Sequence, residues 1–125
     1  MVTARCHCGA VRLAFPRLDL ASARRCDCSL CRRRSAIAVT VPSRDLTVEA
    51  GETLRTYTFH THTAQHHFCN TCGVYTHHRR RSNPDEYGVN VACVDGIDIR
   101  ALEWSWVDGV DHPSDRAAAE EGRDR

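Results

Sequence analysis

Apolar residues alternate with polar ones in short runs along this chain, and each run is soon cut by proline, glycine or a polar cluster. Val11, Leu13 and Phe15 occupy every second position of residues 9–15, which is the period of a half-buried strand. Pro16 closes it, and residues 19–23 read as a short connection. Residues 35–41 (Ala36, Ile37, Val39, Val41) predict a strand stopped by Pro42, and residues 45–50 predict another before a turn at Gly51-Glu52. Residues 54–59, Leu-Arg-Thr-Tyr-Thr-Phe, are rich in β-formers. His66, His67 and Phe68 lead into Cys69-Asn-Thr-Cys72-Gly73, and residues 74–78 lead out, giving strand, tight turn, strand. Residues 79–85 are a polar, proline-containing loop. Residues 87–93 alternate Val89 and Val91 inward, Asp95-Gly96 is a turn, and residues 102–107 predict a last strand with Trp104 and Trp106 on one face. No segment carries helical periodicity beyond a turn or two. The expectation is a mainly β fold of short antiparallel strands over residues 2–112, followed by a frayed polar tail over residues 113–125.

Composition narrows this picture. A chain of 125 residues, 42% hydrophobic with formal charge +1, fits one domain with one modest core. No apolar run approaches the roughly 18 residues of a membrane span. The stretch from Met1 to Cys6 lacks the charged-then-apolar layout of a signal peptide, so the expected location is cytoplasmic, with reduced thiols. All 17 basic residues are arginine. A net charge of +1 with 6% aromatic content offers neither a basic groove nor a stacking platform, which disfavours a nucleic-acid partner.

The eight cysteines change the picture most. Cys6 and Cys8, then Cys26, Cys28 and Cys31, then Cys69 and Cys72 fall in close clusters, and Cys93 stands alone. A C-x-C spacing is awkward for a disulfide within the pair and natural for chelation. In the Cys69 turn, glycine lets backbone amides fold toward thiolate sulfurs, as in a zinc knuckle. Cys69 and Cys72 supply half a tetrahedron and Cys6 and Cys8 the other half, so a closed four-thiolate zinc site tying the two segments together is the economical pairing. Cys26, Cys28 and Cys31 supply three ligands. Their fourth position is either left open, as in a catalytic zinc, or closed by Cys93 or a histidine. Cys93, within an apolar stretch, reads more readily as a small core residue.

Cys6-His-Cys8-Gly9-Ala-Val11, Cys26-Asp-Cys28-Ser-Leu-Cys31, Phe68-Cys69-Asn-Thr-Cys72-Gly73 and Gly88-Val-Asn90-Val-Ala-Cys93-Val-Asp95-Gly96 together resemble the glutathione-dependent formaldehyde-activating enzyme and centromere protein V family, over roughly residues 2–112. The resemblance implies a tent-like β fold with two zinc ions per chain. Cys6, Cys8, Cys69 and Cys72 would hold the structural ion, and Cys26, Cys28 and Cys31 the catalytic one. It also implies a carbon–sulfur lyase activity that forms or breaks a thiol–aldehyde adduct, S-(hydroxymethyl)glutathione in the family's named reaction.

A zinc with a free position suits such chemistry, because it lowers the pKa of a thiol and stabilises a leaving thiolate. Arg32, Arg33 and Arg34, with Arg79, Arg80 and Arg81, are candidates to pair the carboxylates of an anionic thiol, glutathione among them. The candidate general bases are Tyr87, Asp95 and the pairs His66/His67 and His77/His78; His60 and His62 sit at strand spacing. The competing readings are a non-enzymatic zinc module that binds nucleic acid or protein through its arginines, and a redox sensor built on the open thiolates. An exposed apolar strand would support a homodimer.

Overall fold

The computed structural model describes residues 1–110, so the tail predicted at 113–125 lies outside the described residues. In chain order the strands are β1 (Val2–Arg5), β2 (Val11–Phe15), β3 (Arg24–Cys26), β4 (Ala38–Pro42) and β5 (Thr47–Ala50). They continue as β6 (Leu54–Tyr57), β7 (Gln65–Cys69), β8 (Tyr75–Arg79), β9 (Glu86–Asn90) and β10 (Ser105–Val107), and one short helix, α1 (Ser29–Arg34), follows β3.

Among the described residues these strands make two sheets, one in the order β1-β2-β5 and one in the order β10-β3-β4-β9-β8-β7-β6. The core lies where the sheets meet. Leu13, Val11 and Phe15 of β2 pack in one cluster with Val39 and Val41 of β4, Val89 of β9 and Val91, all 2% exposed or less. That is the alternation of the sequence expressed as one buried face per sheet. Burying such a side chain contributes roughly 1.5–3 kcal/mol, so these seven residues are a main source of folding free energy.

The mainly β architecture matches the sequence pattern, with local corrections. The pairing is not wholly antiparallel, because β10 runs parallel to β3, with Val107 opposite Cys26. Residues 19–23 do form a short connection, with a 3-10 turn at Leu20–Ser22, but the strand β3 that follows it was not legible in the sequence, and neither was β1 in Val-Thr-Ala-Arg. The strand expected at 35–41 starts only at Ala38, because Ser35 takes a left-handed conformation (φ 57°) that ends α1. The strand expected at 87–93 stops at Asn90, whose Oδ1 accepts the Ala92 amide at 3.2 Å and turns Val91–Cys93 into a 3-10 helix. Val89 and Val91 still point inward. His60 and His62 are not on a strand; both have positive φ (54° and 57°) in the turn between β6 and β7. Trp104 and Trp106 do share a face, as Arg25 stands over both rings at 5.6 and 5.1 Å, but only residues 105–107 are strand and the indoles are exposed.

Candidate functional site

The Cys6 and Cys69 knuckles are built alike. Each first cysteine donates its amide to a carbonyl five residues on, Cys6 to Val11 (3.0 Å) and Cys69 to Val74 (3.1 Å), so each chain doubles back into its hairpin. Gly9 and Gly73 close the turns with φ of 83° and 76°, a region where a side chain would be strained. The Val11 amide also donates to Cys6 Sγ at 3.3 Å. One knuckle is the tip of β1–β2 in the small sheet and the other the tip of β7–β8 in the large one. The packing of the two sheets brings the tips together.

All four Sγ atoms of Cys6, Cys8, Cys69 and Cys72 lie within 4.8 Å of one another. Cys6 and Cys8 stand 3.7 Å apart, and Cys8 and Cys69 3.6 Å. Disulfide sulfurs would be about 2.05 Å apart. A tetrahedron with zinc–sulfur bonds of about 2.3 Å has an edge of about 3.8 Å. The observed separations are tetrahedral edges, and an all-thiol donor set suits zinc. Buried Cys69 and Cys6, both at 1% exposure or less, anchor the cluster to the core.

The second cluster stands at the edge of the large sheet. Cys26 ends β3, Cys28 caps α1 and Cys31 lies within it, with their three Sγ atoms also within 4.8 Å. The Cys31 amide donates to Cys28 Sγ at 3.4 Å. Hydrogen bonds from Cys26 and then Cys31 hold the Cys28 thiol well below its ordinary value, while Cys26 in turn pushes Cys31 well above it. Cys28 thus gives up its proton first while its neighbours hold theirs, and a bound cation would take all three as thiolates. The donor chemistry fits zinc with three protein ligands.

The C-terminal segment covers this cluster. The Asp27 amide donates to Val107 O at 3.4 Å, and Asp27 Oδ1 accepts the Gly109 amide at 2.7 Å. Gly109 lies so close that a Cβ there would stand 2.2 Å from Cys26 Sγ.

Beside the three thiols lies a cleft of about 130 Å³. Arg34, on the last turn of α1, links the thiols to its interior. Its Nη2 donates to Cys31 Sγ at 3.4 Å, its Nη1 stands 3.0 Å from His66 Nδ1, and its guanidinium lies 3.7 Å over the Tyr75 ring. Tyr75 Oη is 2.5 Å from His78 Nδ1. Burial pushes the Tyr75 hydroxyl up to about 12 and, with the charges of Arg34 and Arg80, holds His78 well below the usual histidine range. Both groups are therefore neutral near pH 7.

Strand alternation sorts the sequence-level base candidates. His66 and His78 are cross-strand partners that stack at 5.3 Å and face the cleft. His67 and His77 pair on the opposite face, where Tyr87 packs against His77. Asp95 is elsewhere, accepting from Thr3 Oγ1 and ion-paired with Arg5. Of the arginines named from sequence, Arg34, Arg80 and Arg81 line the cleft and Arg32, Arg33 and Arg79 do not. Cys93 joins neither cluster; it packs against the core, its Sγ 3.6 Å from Tyr75 O. Arg24 and Tyr75 are cleft residues that sequence reasoning missed. Strand alternation would have placed Tyr75 with His77, away from the cleft; the irregularity in the β7–β8 pairing between His67 and Phe68 puts it beside His78 instead.

The His78 ring is seated on Gly88, its cross-strand partner; a Cβ at position 88 would lie 2.3 Å from His78 Cε1. Gly88→Ala is expected to lower stability by about 1–3 kcal/mol through overpacking while both cysteine clusters keep their metal. An unchanged Tm would show that the ring has somewhere else to go.

A family model for glutathione-dependent formaldehyde-activating enzymes matches residues 1–106. The chain belongs to that family. A crystal structure of a Rhodobacter sphaeroides protein, a structural-genomics target, is similar to it at 56% sequence identity and a TM-score of 0.79, over 84% of this chain and 99% of the other. Among the described residues no helix is long and apolar enough to cross a membrane.

Proposed function

We propose that this member of the family is a zinc-dependent carbon–sulfur lyase that forms or breaks a thiol–aldehyde adduct beside Cys26, Cys28 and Cys31. The observation that carries the reading is the contrast between the two clusters. Cys6, Cys8, Cys69 and Cys72 are a complete tetrahedral set placed at the core, suited to a structural ion. The second cluster has three thiols and opens on a cleft, which leaves room for a ligand sulfur.

When bound there, zinc supplies a Lewis-acidic site that favours the thiolate form of a substrate sulfur. The chain's own residues do the rest. Cys26, Cys28 and Cys31 hold the ion, and Arg34 donates to Cys31 Sγ and so fixes that ligand. Phe59, Ala64 and Val107 exclude water from part of the cleft. In the cleavage direction the carbon–sulfur bond breaks with its electron pair on sulfur, and the adduct hydroxyl becomes a carbonyl. The proton it releases goes to the cleft imidazole of His66, since burial and the neighbouring arginines disfavour a charge on His78. A thiol and formaldehyde combine readily without help, so in the forward direction the cleft contributes mainly proximity.

Cys28→Ser tests this reading. The variant is expected to stay folded and to keep the ion at Cys6, Cys8, Cys69 and Cys72. Native mass spectrometry should count two zinc ions in the wild type and one in the variant, and turnover of a thiol–aldehyde adduct should fall at least a hundredfold. Undiminished turnover in a one-zinc variant would sink the proposal. The arginine-mediated nucleic-acid module is not favoured, since of the six arginines named for it Arg34, Arg80 and Arg81 line the cleft and only Arg32, Arg33 and Arg79 remain outside it.

A further inference from the structure

The cleft is unusual in its charge. Arg24, Arg34, Arg80 and Arg81 all line it, and among the described residues that line it there is no aspartate or glutamate. Glu86, outside the lining, stands 3.8 Å from Arg80 Nε, and Arg24, Arg34 and Arg80 otherwise share the cleft with the three thiols, so a small anion bound among them adds favourable charge. Burial, and then the charge of Arg24, push Arg80 down to about 10. The Nε atoms of Arg24, Arg34 and Arg80 are all buried without a hydrogen-bond partner. Glu86 does not satisfy Arg80 Nε, because at 3.8 Å it is an ion pair too long for a hydrogen bond. These three N–H groups are donors awaiting an acceptor.

The position of Arg34 sets where that acceptor belongs. One guanidinium edge of Arg34 already touches Cys31 Sγ, and another of its nitrogens faces His66. An oxyanion held by the remaining Nε is therefore a short covalent reach from any sulfur that joins the three-thiol cluster. The cleft, at about 130 Å³, is also smaller than the roughly 300–1,000 Å³ of pockets that enclose larger ligands. Glutathione carries its carboxylates at its two ends, far along the chain from sulfur.

We propose that the ligand of this site is a small thiol or thiol adduct with a carboxylate on the carbon bonded to sulfur, received by Arg24, Arg34 and Arg80. The flat guanidinium edges match the two oxygens of a carboxylate. This deepens, and rests on, the reading of the cluster as a host for substrate sulfur. For the adduct R–S–CH(OH)–COO⁻, cleavage leaves the electron pair on sulfur, transfers the hydroxyl proton to a cleft imidazole, and forms the carbon–oxygen double bond. The products are a thiolate and a 2-oxo acid anion, and no oxidant is consumed.

The test uses zinc-loaded protein labelled with ¹⁵N at arginine, titrated separately with mercaptoacetate, 2-mercaptoethanol and glutathione while the Nε–Hε signals are followed. Mercaptoacetate should bind at least tenfold more tightly than 2-mercaptoethanol and more tightly than glutathione, shifting the signals of Arg24, Arg34 and Arg80. Arg80→Gln should reduce that preference severalfold. Because Arg80 also donates to Thr40 Oγ1 at 3.0 Å and its loss risks misfolding, Arg24→Gln serves as the second variant. Equal affinity for the acidic and the neutral thiol, tighter binding of glutathione, or no binding of any of them would overturn the proposal. Turnover of the glyoxylate and formaldehyde adducts of 2-mercaptoethanol separates the two ideas. A mercaptoacetate preference with neither adduct turned over would defeat the lyase and leave the carboxylate site standing. Faster turnover of the formaldehyde adduct with no mercaptoacetate preference would do the reverse.

Discussion

Cys69→Ser is expected to leave the chain unfolded at 25 °C. Cys69 has no exposed surface and lies in the core cluster, and its sulfur is 3.6 Å from Cys8 Sγ across the junction of the two sheets. A structural zinc bound by thiolates contributes about 10–16 kcal/mol in small metallodomains, whereas a whole domain is stable by only about 5–15 kcal/mol. Losing one of four ligands therefore removes an amount comparable to the entire margin. The β1–β2 and β7–β8 hairpins belong to different sheets, and this cluster is a direct link between them. Far-UV circular dichroism and zinc content of the purified variant check the outcome. A cooperative thermal transition near that of the wild type, with a single zinc retained, would mean that the sheets hold without the staple. Strong chelators should reproduce the loss in the wild type, acting first on the three-thiol cluster and only later on this one.

Gly109→Ala should do the opposite, sparing the fold and emptying the second cluster. The backbone at this position is not left-handed, so alanine carries no conformational penalty there. The obstacle is space. A Cβ would meet Cys26 Sγ at 2.2 Å, Cys28 Cβ at 2.8 Å and the Cys28 amide nitrogen at 3.0 Å. The last two are anchored by α1 and do not swing away, so the Gly109 segment or Cys26 must move. Either shift breaks the Gly109 amide bond to Asp27 or the convergence of the three sulfurs. Losing outer contacts of a metal site typically costs 10–100-fold in affinity, and displacing a ligand costs more. The measurement is zinc per chain together with Tm. The expected result is one ion instead of two, at least a hundredfold weaker zinc binding at the vacated cluster, and a Tm within a few degrees of the wild type. Two ions bound as tightly as in the wild type would show that the C-terminal segment does not cover the cluster in solution.

How much of this was legible beforehand follows the range of the interactions. The strand of Val11, Leu13 and Phe15, the Cys69 knuckle and the three close cysteine clusters were readable because each depends on neighbours a few residues apart, whereas joining Cys6 and Cys8 to Cys69 and Cys72, 61 residues from Cys8 to Cys69, followed from counting ligands up to four. Period-two alternation, C-x-C spacing and a glycine after a cysteine all act locally. The resemblance to the family rested on those same local motifs, and the match over residues 1–106 agrees with it. Element ends were less legible. Asn90 and Ser35 end their elements through a side-chain cap and a left-handed backbone, which override the apolar pattern around them.

The cleft lay beyond the sequence. It takes Arg24 from β3, Arg34 from α1, His66 from β7, Tyr75, His78 and the neighbouring Arg80 from β8, and Val107 from β10. Which of two adjacent histidines faces it is a question of register, and a shift of one residue would exchange His66 and His78 for His67 and His77. The parallel pairing of β10 with β3 likewise brings Gly109 onto Cys26 from some eighty residues away. The sequence by itself determined which residues can chelate and which strands can bury a face, because those are properties of short stretches. Only the tertiary structure decided that the three-thiol cluster opens on a cleft lined by four arginines, because charge and space around a site are set by residues that meet through sheet packing rather than along the chain.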